Sequence, residues 1–218
     1  MDVLRAEQVS KGFGGIFRLG PLDLQVRPGE ILGIVGSEGT GKTTLLKLFW
    51  GFIRPDSGCI SVLGLQPHLH QLQLRRKAGY LGHPPQYQFE CSAKQFTHRV
   101  GHFYDCWNEV NAIRLLTHLG VDPNAKMRDL SISDRRKVAI ASVSSHRPAV
   151  LLLDEPISGI NRLERLPILR FLRRLAKEQQ VSILLSSPIP DDLHDIADRV
   201  LTLKDGRPAE CASALQES

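Results

Sequence analysis

Residues 36–43 read Gly36-Ser37-Glu38-Gly39-Thr40-Gly41-Lys42-Thr43, the spacing G-x-x-x-x-G-K-[ST] of a phosphate-binding loop. Immediately before it stands Ile31-Leu32-Gly33-Ile34-Val35, a continuous apolar run of the kind that forms a strand buried on both faces. Residues 42–52 follow, with Leu45, Leu46, Leu48 and Phe49 recurring at helical spacing. Strand, glycine loop, helix is the context the motif requires. Gly36, Gly39 and Gly41 let backbone N–H groups converge on phosphate oxygens, and the helix N-terminus adds its positive end. In this arrangement Lys42 reaches the β- and γ-phosphates and the Thr43 hydroxyl ligates Mg²⁺. Ser37, Glu38, Thr40 and Thr44 complete the candidate contacts to a nucleotide. A chance glycine turn ahead of a lysine does not satisfy three fixed positions and both flanks.

Outward from this loop the chain alternates strands and helices. Strands are expected at 3–9 and 17–26, separated by Gly12-Phe13-Gly14-Gly15, and at 59–63 after the stop signal Arg54-Pro55-Asp56-Ser57-Gly58. From about 86 to 145 the pattern becomes helical, with helices at 92–104, 108–119 and from near Ser133. Alternation then returns, with strands at 149–153, 181–186 and 199–203 and helices at 163–179 and 191–198. The Lys204-Asp205-Gly206 turn closes the last strand. Such alternation on both sides of a helical insert predicts an α/β domain with a largely parallel sheet.

Composition narrows the function classes. The 218 residues are 42% hydrophobic and 23% charged, which excludes a disordered chain and allows a full core. No run approaches the roughly 18 apolar residues of a membrane helix. Asp2, Arg5 and Glu7 occupy the place of a secretory leader's apolar segment. The chain is therefore expected neither to span nor to cross a membrane. The net charge of +5 is scattered, apart from Arg75-Arg76-Lys77 and Arg135-Arg136-Lys137, and aromatic residues are only 6%. No nucleic-acid partner is expected. Cys59, Cys91, Cys106 and Cys211 are too far apart for a metal knuckle and are expected as free thiols. The near pairs His68/His70 and His98/His102 lack a third ligand and read as solvated or capping.

A second motif is Val150-Leu151-Leu152-Leu153-Asp154-Glu155, two carboxylates ending an apolar strand. Alone, such a pair would be a helix cap or a solvated loop. In a chain with a phosphate loop, Asp154 would hold Mg²⁺ and Glu155 would polarise the attacking water.

With both motifs in place the chain resembles the nucleotide-binding subunit of an ATP-binding cassette (ABC) transporter. Gly29-Glu30-Ile31, residues 54–58, Leu130-Ser131, Asp154-Glu155-Pro156-Ile157-Ser158-Gly159, Asp198-Arg199-Val200 and Asp205-Gly206-Arg207 carry the resemblance over almost the whole length. The stretch Phe103-Tyr104-Asp105-Cys106-Trp107-Asn108 is similar to the exporter-type branch. The resemblance implies one domain over 1–218: a P-loop NTPase core (1–85 and 146–218) with a mostly parallel sheet, an N-terminal antiparallel β part, and a helical subdomain at about 86–145. It implies ATP and Mg²⁺ as ligands, with adenine stacked on Phe13 and Ser131 offered to a second cassette. It also implies separate membrane-spanning subunits, a homodimer or heterodimer with another cassette, and a place at the cytoplasmic face of the membrane.

The departures shape the expected activity. The family signature Leu-Ser-Gly-Gly-Gln stands here as Leu130-Ser131-Ile132-Ser133-Asp134, putting a β-branched side chain and a negative charge where phosphate approaches. His83 takes the place of a glutamine, Asn161 that of an aspartate and Pro188 that of a histidine. These features predict slow ATP hydrolysis that powers or gates transport, or alternatively a regulatory cassette using ATP as a dimerisation signal.

Overall fold

The computed structural model describes residues 2–15 and 17–212, the last three by backbone alone. Two sheets are formed. β1 (Leu4–Phe13), β2 (Phe17–Val26) and β4 (Ser57–Val62) make a three-stranded antiparallel sheet in the order β2-β1-β4. The second has six strands: β3 (Ile31–Val35), β5 (Ala78–Leu81), β6 (Val150–Leu153), β7 (Ser182–Ser187), β8 (Arg199–Lys204) and β9 (Arg207–Ala212). Its order is β5-β6-β7-β3-β8-β9, parallel throughout except for β9. The chain is thus an α/β fold with a mostly parallel sheet and an antiparallel N-terminal part.

The central strands are apolar runs because helices cover both faces, and every residue of β3, β6 and β7 is buried. α1 (Lys42–Trp50) follows β3 and turns Leu45, Leu46, Leu48 and Phe49 inward. It ends because Gly51 adopts φ 81°, a left-handed cap open to a residue without Cβ. Phe49 and Leu46 belong to one buried cluster with Leu22, Leu24 and Val62 of the antiparallel sheet and Ile34, Leu152 and Leu184 of the parallel one. One apolar layer therefore joins the two sheets.

The other face of the parallel sheet carries α3 (Ala93–Gly101), α4 (Glu109–His118), α5 (Ile132–Ser144) and α6 (Arg162–Gln179). Phe96, Leu116, Val138, Leu172, Leu153 and Leu185 belong to one continuous cluster there. Each of these helices begins at a polar side chain that accepts a backbone N–H: Ser92, Asn108, Ser131 and Asn161 respectively.

Several elements differ from the sequence expectation. β9 continues beyond the Lys204-Asp205-Gly206 turn, so β8 is not the last strand. α2 (Gln71–Arg75) lies in a stretch too short and polar for a periodic signal. α3 stops at Gly101, where the Trp107 indole occupies the space of any side chain, rather than running to residue 104. α7 is only Asp191–His194. No helix among the described residues is long and apolar enough to cross a membrane. Cys59 and Cys106 are exposed free thiols and Cys91 a buried one, while the Cys211 side chain lies outside the described residues.

Candidate functional site

Strand order assembles the site. The carboxyl ends of β5, β6, β7 and β3 lie side by side, and each delivers a chemically active residue: His83, then Asp154 and Glu155, then Ser186, then the 36–43 loop. Ligands of open α/β sheets bind at such an edge. Register makes the juxtaposition specific. Leu153 stands opposite Leu185, and Ile34 opposite Ser186, so Asp154 meets Ser186 beside the loop.

The loop leaves β3 at Gly36, where a Cβ would come within 2.5 Å of both the Leu203 carbonyl and Thr40 Oγ1. Thr40 in turn donates to the Ser37 carbonyl at 2.9 Å. Gly41 caps α1 at φ 103°, which only glycine adopts readily. The backbone is thereby bent into a cradle. Lys42 is almost fully buried, and its Nζ donates to the Gly36 and Ser37 carbonyls at 2.7 and 3.0 Å. The same ammonium lies 3.7 Å from Glu155 Oε1. A buried cation held by neutral carbonyls and one distant carboxylate is suited to an incoming polyanion.

Asp154 is fully buried, and its carboxylate accepts hydroxyl bonds from Thr43 at 2.8 Å and Ser186 at 2.7 Å. Ser186 Oγ also accepts the Glu155 N–H at 3.0 Å, which fixes the backbone carrying the second carboxylate. Glu155 sits at φ 46°, a left-handed conformation costly for a residue with a side chain and characteristic of functional turns. An oxygen donor set of one carboxylate and one threonine hydroxyl at the edge of a phosphate cradle fits Mg²⁺, which keeps few protein ligands. Tyr80, at the end of β5, has its phenol pushed up to about 12 by burial and then by the Asp154 charge, so it remains neutral.

The open pocket over the loop, about 270 Å³, is lined by Glu38, Gly39, Gly41, Lys42, Thr43, Thr44, Glu155, His83 and Phe17. Phe13, the expected adenine platform, is not in that lining. It lies at the end of the β1–β2 hairpin, paired with Phe17 across the strands and with Lys11 Nζ 5.9 Å over its ring. Phe17 is instead the aromatic ring against the loop, within 3.1 Å of where a Gly41 Cβ would stand. Ser131 is also outside the pocket. It caps α5 by accepting the Asp134 N–H at 3.0 Å, and its hydroxyl donates to the Asp134 carboxylate at 2.9 Å. Lys137 neutralises that carboxylate from 2.7 Å. Ile132 beside it is exposed.

Sequence reasoning missed three participants. Ser186 ends an apolar strand in Leu-Leu-Ser-Ser, a polar break that could have flagged it. Phe17 had only its hairpin position. Arg136 stands out in the sequence only as part of the basic run Arg135-Arg136-Lys137, yet its Nη2 lies 3.4 Å from His83 Nδ1, and His83 Nε2 lies 3.8 Å from Glu155 Oε2. Pro188 follows β7 half-buried, next to Ser187, which donates to Asp192 at 2.8 Å.

Comparison with known proteins agrees with this geometry. A ribose import ATP-binding protein of Rubrobacter xylanophilus is 32% identical, over 94% of this chain and 43% of its own length. A putative ribose/galactose/methyl galactoside import ATP-binding protein of Geobacillus kaustophilus is 30% identical over the same shares. The chain thus spans less than half the length of these relatives. Their names are those of importers, so the exporter-type branch finds no support among them. Among solved structures, cbiO1 from Clostridium perfringens, part of the ABC transporter complex cbiONQ, superposes with a TM-score of 0.85. It is 25% identical, and the match covers 98% of this chain and 89% of that one. The ATP-binding cassette MJ0796, a dimer bound to ADP and Pi, gives 0.85 at 19% identity, covering 98% and 100%, and shows the shared fold. The family described as ABC transporter matches residues 19–158, a span that holds the cradle and the paired carboxylates, and the chain belongs to it.

Proposed function

We propose that the chain is the ATP-binding part of a membrane transporter, taking Mg-ATP at the 36–43 loop and hydrolysing it slowly. The observation that carries this is that Lys42 and Thr43, after β3, line one pocket with Glu155, after β6, and that Thr43 donates to the buried Asp154 beside Glu155. When bound, Mg²⁺ would supply charge neutralisation at the phosphates, with Thr43 and Asp154 as its protein ligands. Lys42 contributes a buried positive charge to the phosphate chain, and the loop amides and α1 N-terminus add donors that need no reorganisation. Glu155, held by Ser186 through its own N–H, presents a carboxylate to the water that attacks. Phe17 offers a ring face beside the loop on which a base can rest.

The proposal extends to partners. Membrane-spanning subunits on other chains would dock on this one at the cytoplasmic face of the membrane. A second cassette, identical or not, would complete each site. The relatives' names favour import of a small hydrophilic solute. Slow turnover follows from the missing donor at Pro188, since one lost transition-state donor costs about 10²–10³ in rate. The exposed Ile132 at the start of α5 supports a second reading, an assembly cassette with little turnover.

The test is Mg-ATP affinity by calorimetry in Lys42→Ala. A hydrogen bond to a charged group is worth about 1.5–3 kcal/mol, so affinity should fall about 10- to 100-fold. Unchanged affinity would place the nucleotide elsewhere and end this reading.

A further inference from the structure

Arg136 is an expensive residue that the proposed reaction does not yet use. It lies on α5 with only 6% of its surface exposed, and no carboxylate among the described residues comes within ion-pairing distance. Its Nη1 is buried without a hydrogen-bond partner there. Nη2 finds two long contacts, the Ser158 carbonyl at 3.5 Å and His83 Nδ1 at 3.4 Å. A buried guanidinium without an anion is heavily penalised, and a methionine of similar volume would fill the space without that penalty. The charge calls for an explanation, and the imidazole in front of it supplies one.

Arginine carries five N–H donors and no acceptor. For this 3.4 Å contact to be a hydrogen bond the facing nitrogen, Nδ1, has to accept, which leaves the proton of a neutral ring on Nε2. That nitrogen points the other way, 3.8 Å from Glu155 Oε2, into the pocket that Lys42 and Thr43 also line. A donor-only group on one side of an imidazole thus guarantees a donor on the other. We propose that Arg136 is a positioning residue that locks His83 in its Nε2–H tautomer, so that His83 presents a permanent donor to the Glu155 end of the pocket. Arg136 sits on α5, a helix whose first residues carry Ser131 and Ile132, whereas His83 follows β5 of the sheet. The pair is therefore a polar bridge from α5 to the reacting end of the site.

The proposed tautomer rests on the Arg136–His83 contact and not on any ligand, whereas its effect on turnover rests on the ATP reading above. The experiment separates the two. Histidine-¹⁵N-labelled full-length chain is examined by NMR at about pH 8, where imidazole is ordinarily neutral, with His83 assigned through His83→Gln. Wild type should show Nδ1 bare and Nε2 protonated. Arg136→Met should shift His83 to mixed tautomers. Arg136→Lys should restore the wild-type pattern, because lysine too has only donors. An Nδ1–H His83 in wild type, or a tautomer indifferent to Arg136→Met, overturns the proposal. Should R136M not fold, wild type and R136K decide it, since a protonated Nδ1 in either is incompatible with a donor-only neighbour. In single-turnover hydrolysis R136M should be slowed about 10- to 100-fold, the cost of a misplaced reacting group, with Mg-ATP affinity within twofold of wild type. R136M combined with His83→Ala should be no slower than His83→Ala alone. Additive losses overturn the link to turnover. A wild-type chain that does not bind Mg-ATP refutes the nucleotide reading instead, and the NMR result still decides the tautomer.

Discussion

His146 lies face to face on Tyr104, with ring centroids 4.1 Å apart and planes 15° from parallel. Its Nε2 is 3.2 Å from the Ala78 carbonyl and its Nδ1 has no partner among the described residues. A carbonyl accepts only, so Nε2 carries the proton of a neutral ring. Burial pulls the His146 pKa down to about 4, against a smaller upward pull from that carbonyl. Between pH 6.5 and 4 the unfolded chain takes up a proton that the native one refuses, so stability declines as pH falls through this window. At about 1.4 kcal/mol per unit the loss reaches at most ~3.5 kcal/mol. His146→Gln should flatten this acid limb in urea unfolding measured from about pH 7 to 4.5. An acid limb as steep as that of wild type would assign it to other groups. Tyr104 adds no such dependence, since burial pushes its phenol up to about 12.

Among the elements, α6 is tied to the turn after β7 by an ion pair. Arg165 donates to Asp192 and to the Ile160 carbonyl, and Asp192 also accepts the Ser187 hydroxyl. The Asp192 side chain is 4% exposed, so the pair is a buried one. Removing one member leaves the other uncompensated, which costs about 3–5 kcal/mol. Arg165→Met should therefore destabilise by that amount in denaturant unfolding, and Asp192→Asn, which keeps a hydrogen-bonding acceptor, by less. A loss under about 1 kcal/mol for R165M would mean the pair behaves as a surface contact. Helix starts are the best-read boundaries in the sequence, because a cap is a local device. The sequence places helix starts at Ser92 and Asn108, and these residues cap α3 and α4 by accepting N–H bonds from Gln95 and Asn111. Helix ends were read less well. α3 is stopped at Gly101 by Trp107, a contact that periodicity does not register.

At the scale of the molecule, Phe49 is one of the large buried side chains in the apolar layer that joins the two sheets. It is fully buried on α1, in the cluster that contains Leu22, Leu24 and Val62 on one side and Ile34, Leu152 and Leu184 on the other. Phe49→Ala should cost about 3–5 kcal/mol and should lower the stability of both sheets together. Hydrogen exchange read separately on β1 and β6 would show this. Protection lost on β1 alone would mean that the antiparallel sheet opens independently of the parallel one.

Local chemistry made half of the site legible. The phosphate loop, its buried strand and its helix are contiguous, so glycine spacing and periodicity reveal them without knowledge of the fold. Asp154 and Glu155 are legible as candidates because an apolar strand ends in two carboxylates. The other half depends on the strand order β5-β6-β7-β3. That order sets Thr43 against Asp154 across 111 positions of sequence and brings Ser186 onto the other oxygen of the same carboxylate, while the packing of α5 puts Arg136 beside His83. It also makes Phe17 rather than Phe13 the ring beside the loop. Spacing reports which face of one segment is apolar. Which segments become neighbours is decided by how those faces pack into a shared core, a property of the whole chain that no single stretch contains.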